Sequence, residues 1–86
     1  MIDIAYSPAF VKKYGACETM LQREIKDKIA LFRDHKNHRQ LQVHKLHGRL
    51  KDRYSFSVNY QLRIIFRWLT KNEVYLLTIG DHDIYK

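Results

Sequence analysis

Arg53-Tyr54-Ser55-Phe56-Ser57-Val58-Asn59-Tyr60 alternates polar and apolar side chains, and Leu62-Arg63-Ile64-Ile65-Phe66-Arg67-Trp68 repeats the alternation just beyond it. A period of two is that of a β-strand, whose successive side chains point to opposite faces. Tyr54, Phe56, Val58 and Tyr60 therefore share one face, as do Leu62, Ile64, Phe66 and Trp68, and these two rows are expected to meet a core. The opposite face collects Arg53, Ser55, Ser57, Asn59, Arg63 and Arg67. Thr70-Lys71-Asn72-Glu73 reads as a turn into Val74–Ile79, which is apolar at nearly every position and is expected to be a strand covered on both sides.

Working outward, the pattern weakens toward the N-terminus of this block. Between Leu41 and Leu50 the apolar residues change phase, and Gly48 marks a bend or bulge there. Further upstream the period becomes helical. Leu21, Ile25, Lys28/Ile29 and Phe32 recur at spacings of three and four, which predicts a helix from Thr19 to about Lys36. Thr19 with Gln22 fits a capping box. Ser7-Pro8 predicts the start of a shorter helix, with Ser7 as cap and Pro8 where its missing N–H costs nothing. Gly15 is expected to be its left-handed stop. Ile2-Asp3-Ile4-Ala5-Tyr6 alternates as a short first strand. The expected architecture is α+β: an N-terminal strand, two helices, then a three- to four-stranded antiparallel sheet with the helices packed on one face.

The chain has 86 residues, 45% of them apolar and 13% aromatic, with one Pro and three Gly. That suits one small folded domain over residues 1–86, with no repeat and no Gly/Ser/Pro-rich linker, and excludes a disordered tail. No window approaches the roughly 18 apolar residues that span a bilayer, and no secretion leader is evident, so a cytoplasmic protein with no membrane partner is expected. The lone Cys17 forms no intrachain disulfide and supplies no paired metal ligand. The formal net charge is +7. Between Arg33 and Arg53 stand seven Lys/Arg and four His against only Asp34 and Asp52. Clustered base of this kind suits a polyanion, either nucleic acid or an acidic protein.

In order along the chain, His44-Lys45-Leu46-His47-Gly48-Arg49-Leu50-Lys51, Tyr54-Ser55-Phe56-Ser57-Val58-Asn59-Tyr60, Leu62-Arg63-Ile64-Ile65-Phe66 and Ile79-Gly80-Asp81-His82-Asp83-Ile84-Tyr85 resemble the RelE/ParE superfamily of bacterial toxins from type II toxin–antitoxin modules. The likeness is nearest to the RelE- and YafQ-like mRNA interferases. It implies a ribosome-dependent mRNA endonuclease that inhibits translation, together with a cognate antitoxin that neutralises it, in a complex expected to be a heterotetramer. No cofactor and no metal is implied. By the same resemblance the catalytic candidates are His44, Arg63, His82 and Tyr85, and Lys45, His47, Arg49, Lys51, Arg53 and Arg67 would hold the RNA backbone. Ser55 and Ser57 stand where RelE carries catalytic lysines. ParE-like members inhibit gyrase without cutting RNA, so a gyrase-directed toxin, or a member that only binds its antitoxin, is the alternative.

RNA carries its own nucleophile in the 2′-OH, so cleavage needs only a base, an acid and a cation for the phosphorane-like transition state. His44 and His82 would serve as base and acid in an order the sequence leaves open, Arg63 as the cation, and Tyr85 as a platform for the scissile nucleotide. Since His titrates near neutrality, a bell-shaped pH–rate profile is expected. Two His-x-x-His pairs, His35/His38 and His44/His47, have the spacing of zinc ligands. The second pair lies in an expected strand, where a spacing of three points to opposite faces, and no Cys supports it.

Overall fold

The computed structural model describes residues 1–48 and 52–81. The chain runs β1 (Asp3–Tyr6), α1 (Pro8–Ala16), α2 (Thr19–Phe32), a 3₁₀ turn (His35–Asn37), β2 (His44–Lys45), β3 (Tyr54–Ser57), β4 (Leu62–Thr70) and β5 (Glu73–Asp81). One five-stranded sheet has the order β1-β5-β4-β3-β2. The expected α+β class and the helices on one face are both present, with one correction to the sheet. β1 joins it as an edge strand parallel to β5, with Ile4 opposite Val74, so the sheet is mixed rather than antiparallel throughout. Among the described residues no helix is long and apolar enough to cross a membrane.

Ser7 starts α1 as expected: its Oγ accepts the Phe10 N–H at 2.9 Å, with Pro8 opening the helix. The same hydroxyl donates to the Leu77 carbonyl at 2.6 Å. Leu77 lies at an irregularity of β5, between Leu76, opposite Phe66, and Thr78, opposite Ile65. One side chain thus caps a helix and satisfies a carbonyl at a bulge, which fixes α1 on the sheet. Lys13 adds a second tie, donating to the Ile79 carbonyl at 3.0 Å.

Several local expectations are corrected. Gly15 is not a left-handed stop: α1 continues through it to Ala16, and Gly48 is the described glycine with positive φ, at 73°. The Thr19/Gln22 capping box does not form. Glu18 occupies the cap position without a side-chain bond, and Gln22 instead donates its amide to the Tyr14 carbonyl at the end of α1. α2 ends at Phe32 rather than near Lys36, because Asp34 accepts the Lys36 N–H and starts the 3₁₀ turn. Tyr60 is 89% exposed, not in the core. β3 ends at Ser57 and the alternation fails beyond Val58, because the Asn59 carboxamide oxygen accepts the N–H groups of Gln61 and Leu62, folding the chain into the β3–β4 connection. Among the described residues β5 carries helices on one face, and Tyr75, Leu77 and Thr78 on it are half-buried rather than enclosed.

The core lies between helices and sheet. Ile2, Ile25, Phe32, Phe56, Ile64, Phe66, Val74 and Leu76 are fully enclosed. Phe32 sits at its centre, stacked on Phe56 at 4.3 Å and meeting the edge of Phe66 at 4.9 Å between ring centroids. Burying each such side chain contributes on the order of 1.5–3 kcal/mol, and this face of the sheet carries the stability of the domain.

Candidate active site on the open face of the sheet

Cross-strand partners share a face, so the register alone assembles the opposite surface. His44 pairs with Ser55, Ser55 with Ile65, and Ile65 with Thr78. One step along, Ser57 pairs with Arg63 and Arg63 with Gly80. Arg67 pairs with Tyr75. None of these residues belongs to the helix-side core. His44 and Arg63, two catalytic candidates from distant parts of the sequence, therefore lie on one face. They are two strands and two residues apart, or about 12 Å between Cα atoms from ordinary strand spacings.

Hydrogen bonds organise this face. The His44 ring nitrogen Nδ1 lies 2.9 Å from the Gln42 carbonyl oxygen. A carbonyl only accepts, so Nδ1 carries the hydrogen, and in the neutral ring Nε2 keeps its lone pair. His44 is an exposed residue. Ser57 Oγ donates to Gln42 Oε1 at 3.0 Å, and Arg63 Nη1 donates to Ser57 Oγ at 3.3 Å. A chain of contacts thus joins the guanidinium of Arg63 to the residue that orients His44. Gln42 itself has φ 56° and is the one non-glycine residue with positive φ among those described. A left-handed conformation costs an ordinary residue roughly 1–2 kcal/mol.

Beneath His44, Ser55 is completely enclosed and its hydroxyl has no hydrogen-bond partner among the described residues. Its neighbour Ile65 is 3% exposed. The open face is thus not a uniformly wet surface: a closed strip lies between His44 on one side and Thr78 on the other.

The remaining candidates divide. Arg67 is exposed on the same face as Arg63. His47 is exposed just past β2. Arg53 is engaged with Asp52, Nη1 to Oδ2 at 2.6 Å. Lys45 pairs with Tyr54, so its side chain leaves the strand on the face opposite His44; it lies at the rim of the helix side rather than beside the histidine. Arg49, Lys51, His82 and Tyr85 lie outside the described residues. His35 and His38 do come together, with ring centroids 4.9 Å apart. His38 packs on Phe32 at 4.6 Å and its Nε2 contacts the Phe32 carbonyl at 2.7 Å. Burial pushes its pKa below the ordinary histidine value, with the bond to Phe32 opposing, His35 lowering it further and Asp34 raising it. His35 and His38 stand at the aromatic end of the core, whereas His44 belongs to the open face. Among the described residues no cluster of three or more metal-ligating side chains occurs.

Gln42 had no signature in the sequence. Ser57 was legible as a polar strand residue at a position where the resembled family carries a lysine, but its bond to a residue fifteen positions away depends on β2 and β3 being adjacent.

No family model and no curated protein matches the chain. Solved structures do. YafQ from E. coli strain BL21(DE3) superposes with a TM-score of 0.73 at 19% identity, covering 98% of this chain and 97% of that one. The YoeB–YefM complex from Staphylococcus aureus gives 0.72 at 16% identity over 95% and 98%. The E. coli DinJ–YafQ toxin–antitoxin complex gives 0.70 at 20% identity over 96% and 94%. This chain has the fold of those proteins along nearly its full length.

Proposed function

We propose that the chain is the toxin of a type II toxin–antitoxin module and that it cleaves mRNA on the ribosome. The observation that carries this reading is His44 and Arg63 on one open sheet face, with His44 oriented through Nδ1 so that Nε2 is available for proton transfer. The shared fold supports it, since solved relatives include a toxin bound to its antitoxin.

In the proposed reaction the ribose 2′-OH loses its proton to one histidine and attacks the adjacent phosphorus. The P–O5′ bond breaks, and a second histidine returns a proton to the departing 5′-oxygen. The products are a 2′,3′-cyclic phosphate and a 5′-OH. His44 Nε2 is one of the two proton carriers and His82 the other. Arg63 offsets the charge gathering on the phosphoryl oxygens, in a site where a positioned cation acts without reorganising. Tyr85 stacks on the scissile nucleotide. Arg67, His47, Arg53, Lys45, Arg49 and Lys51 hold neighbouring phosphates and set register rather than chemistry. Acid–base assistance of this kind is worth about 10²–10⁴-fold in rate.

A cognate antitoxin is the second partner proposed. Tyr6 and Val11 are 47% and 57% exposed beside Phe10, Tyr14 and Ile29 on the α1 side. That apolar surface on a chain of net charge +7 suits an acidic segment that orders as it binds.

Primer extension on a reporter mRNA after brief induction tests the reading. Cuts inside codons are expected with the native chain and are expected to vanish with His44→Ala or when translation is blocked. Growth arrest with intact mRNA would overturn the nuclease reading and turn attention to gyrase.

A further inference from the structure

Gln42 occupies a backbone slot that favours glycine. Its N–H reaches the Arg39 carbonyl at 3.1 Å, and the Val43 N–H reaches the His38 carbonyl at 3.0 Å. These two bonds close a helical turn on a left-handed residue, and φ at Gln42 is 56°. Glycine takes that conformation without penalty, whereas glutamine does not. Both ends of the residue are nevertheless in use. The carbonyl meets His44 Nδ1, and the side-chain oxygen accepts the Ser57 hydroxyl. Ser57 has one hydroxyl hydrogen. Committing it to Gln42 turns the oxygen's lone pairs toward Arg63, whose Nη1 donates to it.

We propose that Gln42 is a positioning residue for both halves of the site. From one left-handed backbone position its carbonyl sets which ring nitrogen of His44 carries the hydrogen, and its amide, through Ser57, holds the guanidinium of Arg63. Gln42 touches no reacting atom. The inference rests on the nuclease reading for what His44 and Arg63 do, and on the geometry alone for how they are held.

Gln42→Gly separates the two roles, because it keeps the carbonyl, relieves the left-handed backbone and deletes the amide. The full-length chain would be examined by NMR as native protein, Gln42→Gly and Ser57→Ala. The His44 ring is expected to keep its hydrogen on Nδ1 in all three. Hydrogen exchange of the Arg63 guanidinium is expected to quicken about tenfold in both variants, the loss of one charge-assisted bond. The melting temperature of Gln42→Gly is expected at or above the native value. Unchanged exchange at Arg63, or a melting temperature several degrees lower, would overturn the proposal, the latter because the residue would then be holding the fold.

A kinetic arm adds a readout that a structural role would not move. Gln42→Gly is expected to lower kcat about tenfold with KM unchanged, and to cost almost nothing further in an Arg63→Ala background. Full additivity of the two substitutions would overturn it. If the native chain cuts no RNA, the nuclease reading falls by itself and the exchange measurement still decides the role of Gln42.

Discussion

The two faces of this sheet are built by different physics. On the helix side, Phe32, Phe56, Ile64, Phe66, Val74 and Leu76 are wholly enclosed, and the order comes from dispersion and exclusion of water. On the open side, order comes from a short series of directional bonds: His44 to Gln42, Gln42 to Ser57, Ser57 to Arg63. The closed face tolerates almost no loss of volume. On the open face the exposed side chains, His44 and Arg67 among them, can be removed at little cost to folding, whereas Ser55 and Ile65 in its closed strip cannot. A small domain can thus keep a charged, partly strained surface because its stability is gathered on the other side.

Phe32→Ala attacks the closed face at its centre. Opening a cavity among Phe56, Phe66 and His38 is expected to cost about 3–5 kcal/mol, enough to leave much of a domain this size unfolded at 37 °C. Urea unfolding followed by far-UV circular dichroism checks it, and a loss below about 1 kcal/mol would break the comparison. Ser7→Ala removes a helix cap and the partner of the Leu77 carbonyl together, and about 1–2 kcal/mol is expected by the same assay. Gly15→Ala tests the helix interior. A Cβ there meets nothing within 4 Å, so stability is expected to rise by up to about 1 kcal/mol. Arg67→Ala, on the open face, is expected to change stability by less than about 0.5 kcal/mol while weakening RNA binding in a salt-dependent way.

The smallest effect expected is the pH dependence of the aromatic end. His38 has a lowered pKa in the folded chain, so between that value and about 6.5 the unfolded chain binds a proton that the folded chain does not. Stability therefore falls as pH drops through this window and is flat above it. Thermal melts from pH 7.5 to 5 on the native chain and His38→Gln check this, with the slope contributed by His38 absent from the variant.

Much of the closed face was readable because alternation and helical spacing are local. Phe56, Val58, Ile64, Phe66 and Val74 are core residues where the pattern put them. The pattern overran at Tyr60, where the Asn59 side chain turns the chain; the Asn was the visible sign, since Asx residues bond backbone groups two and three positions on. The parallel pairing of β1 with β5 was not readable, because it joins residues about seventy positions apart and depends on where α1 and α2 return the chain. The open face was readable as a polar row containing Arg63 and Arg67. Its organisation was not, since Gln42 stands where glycine would have announced a left-handed turn.

Single-turnover cleavage of mRNA on programmed ribosomes, with purified native chain, His44→Ala and Arg63→Ala, tests the central claim most directly. Melting temperatures within a few degrees of native, together with cleavage slower by about 10²-fold or more in each variant, are expected if the open face does the chemistry. Native cleavage rates in either variant would contradict that assignment.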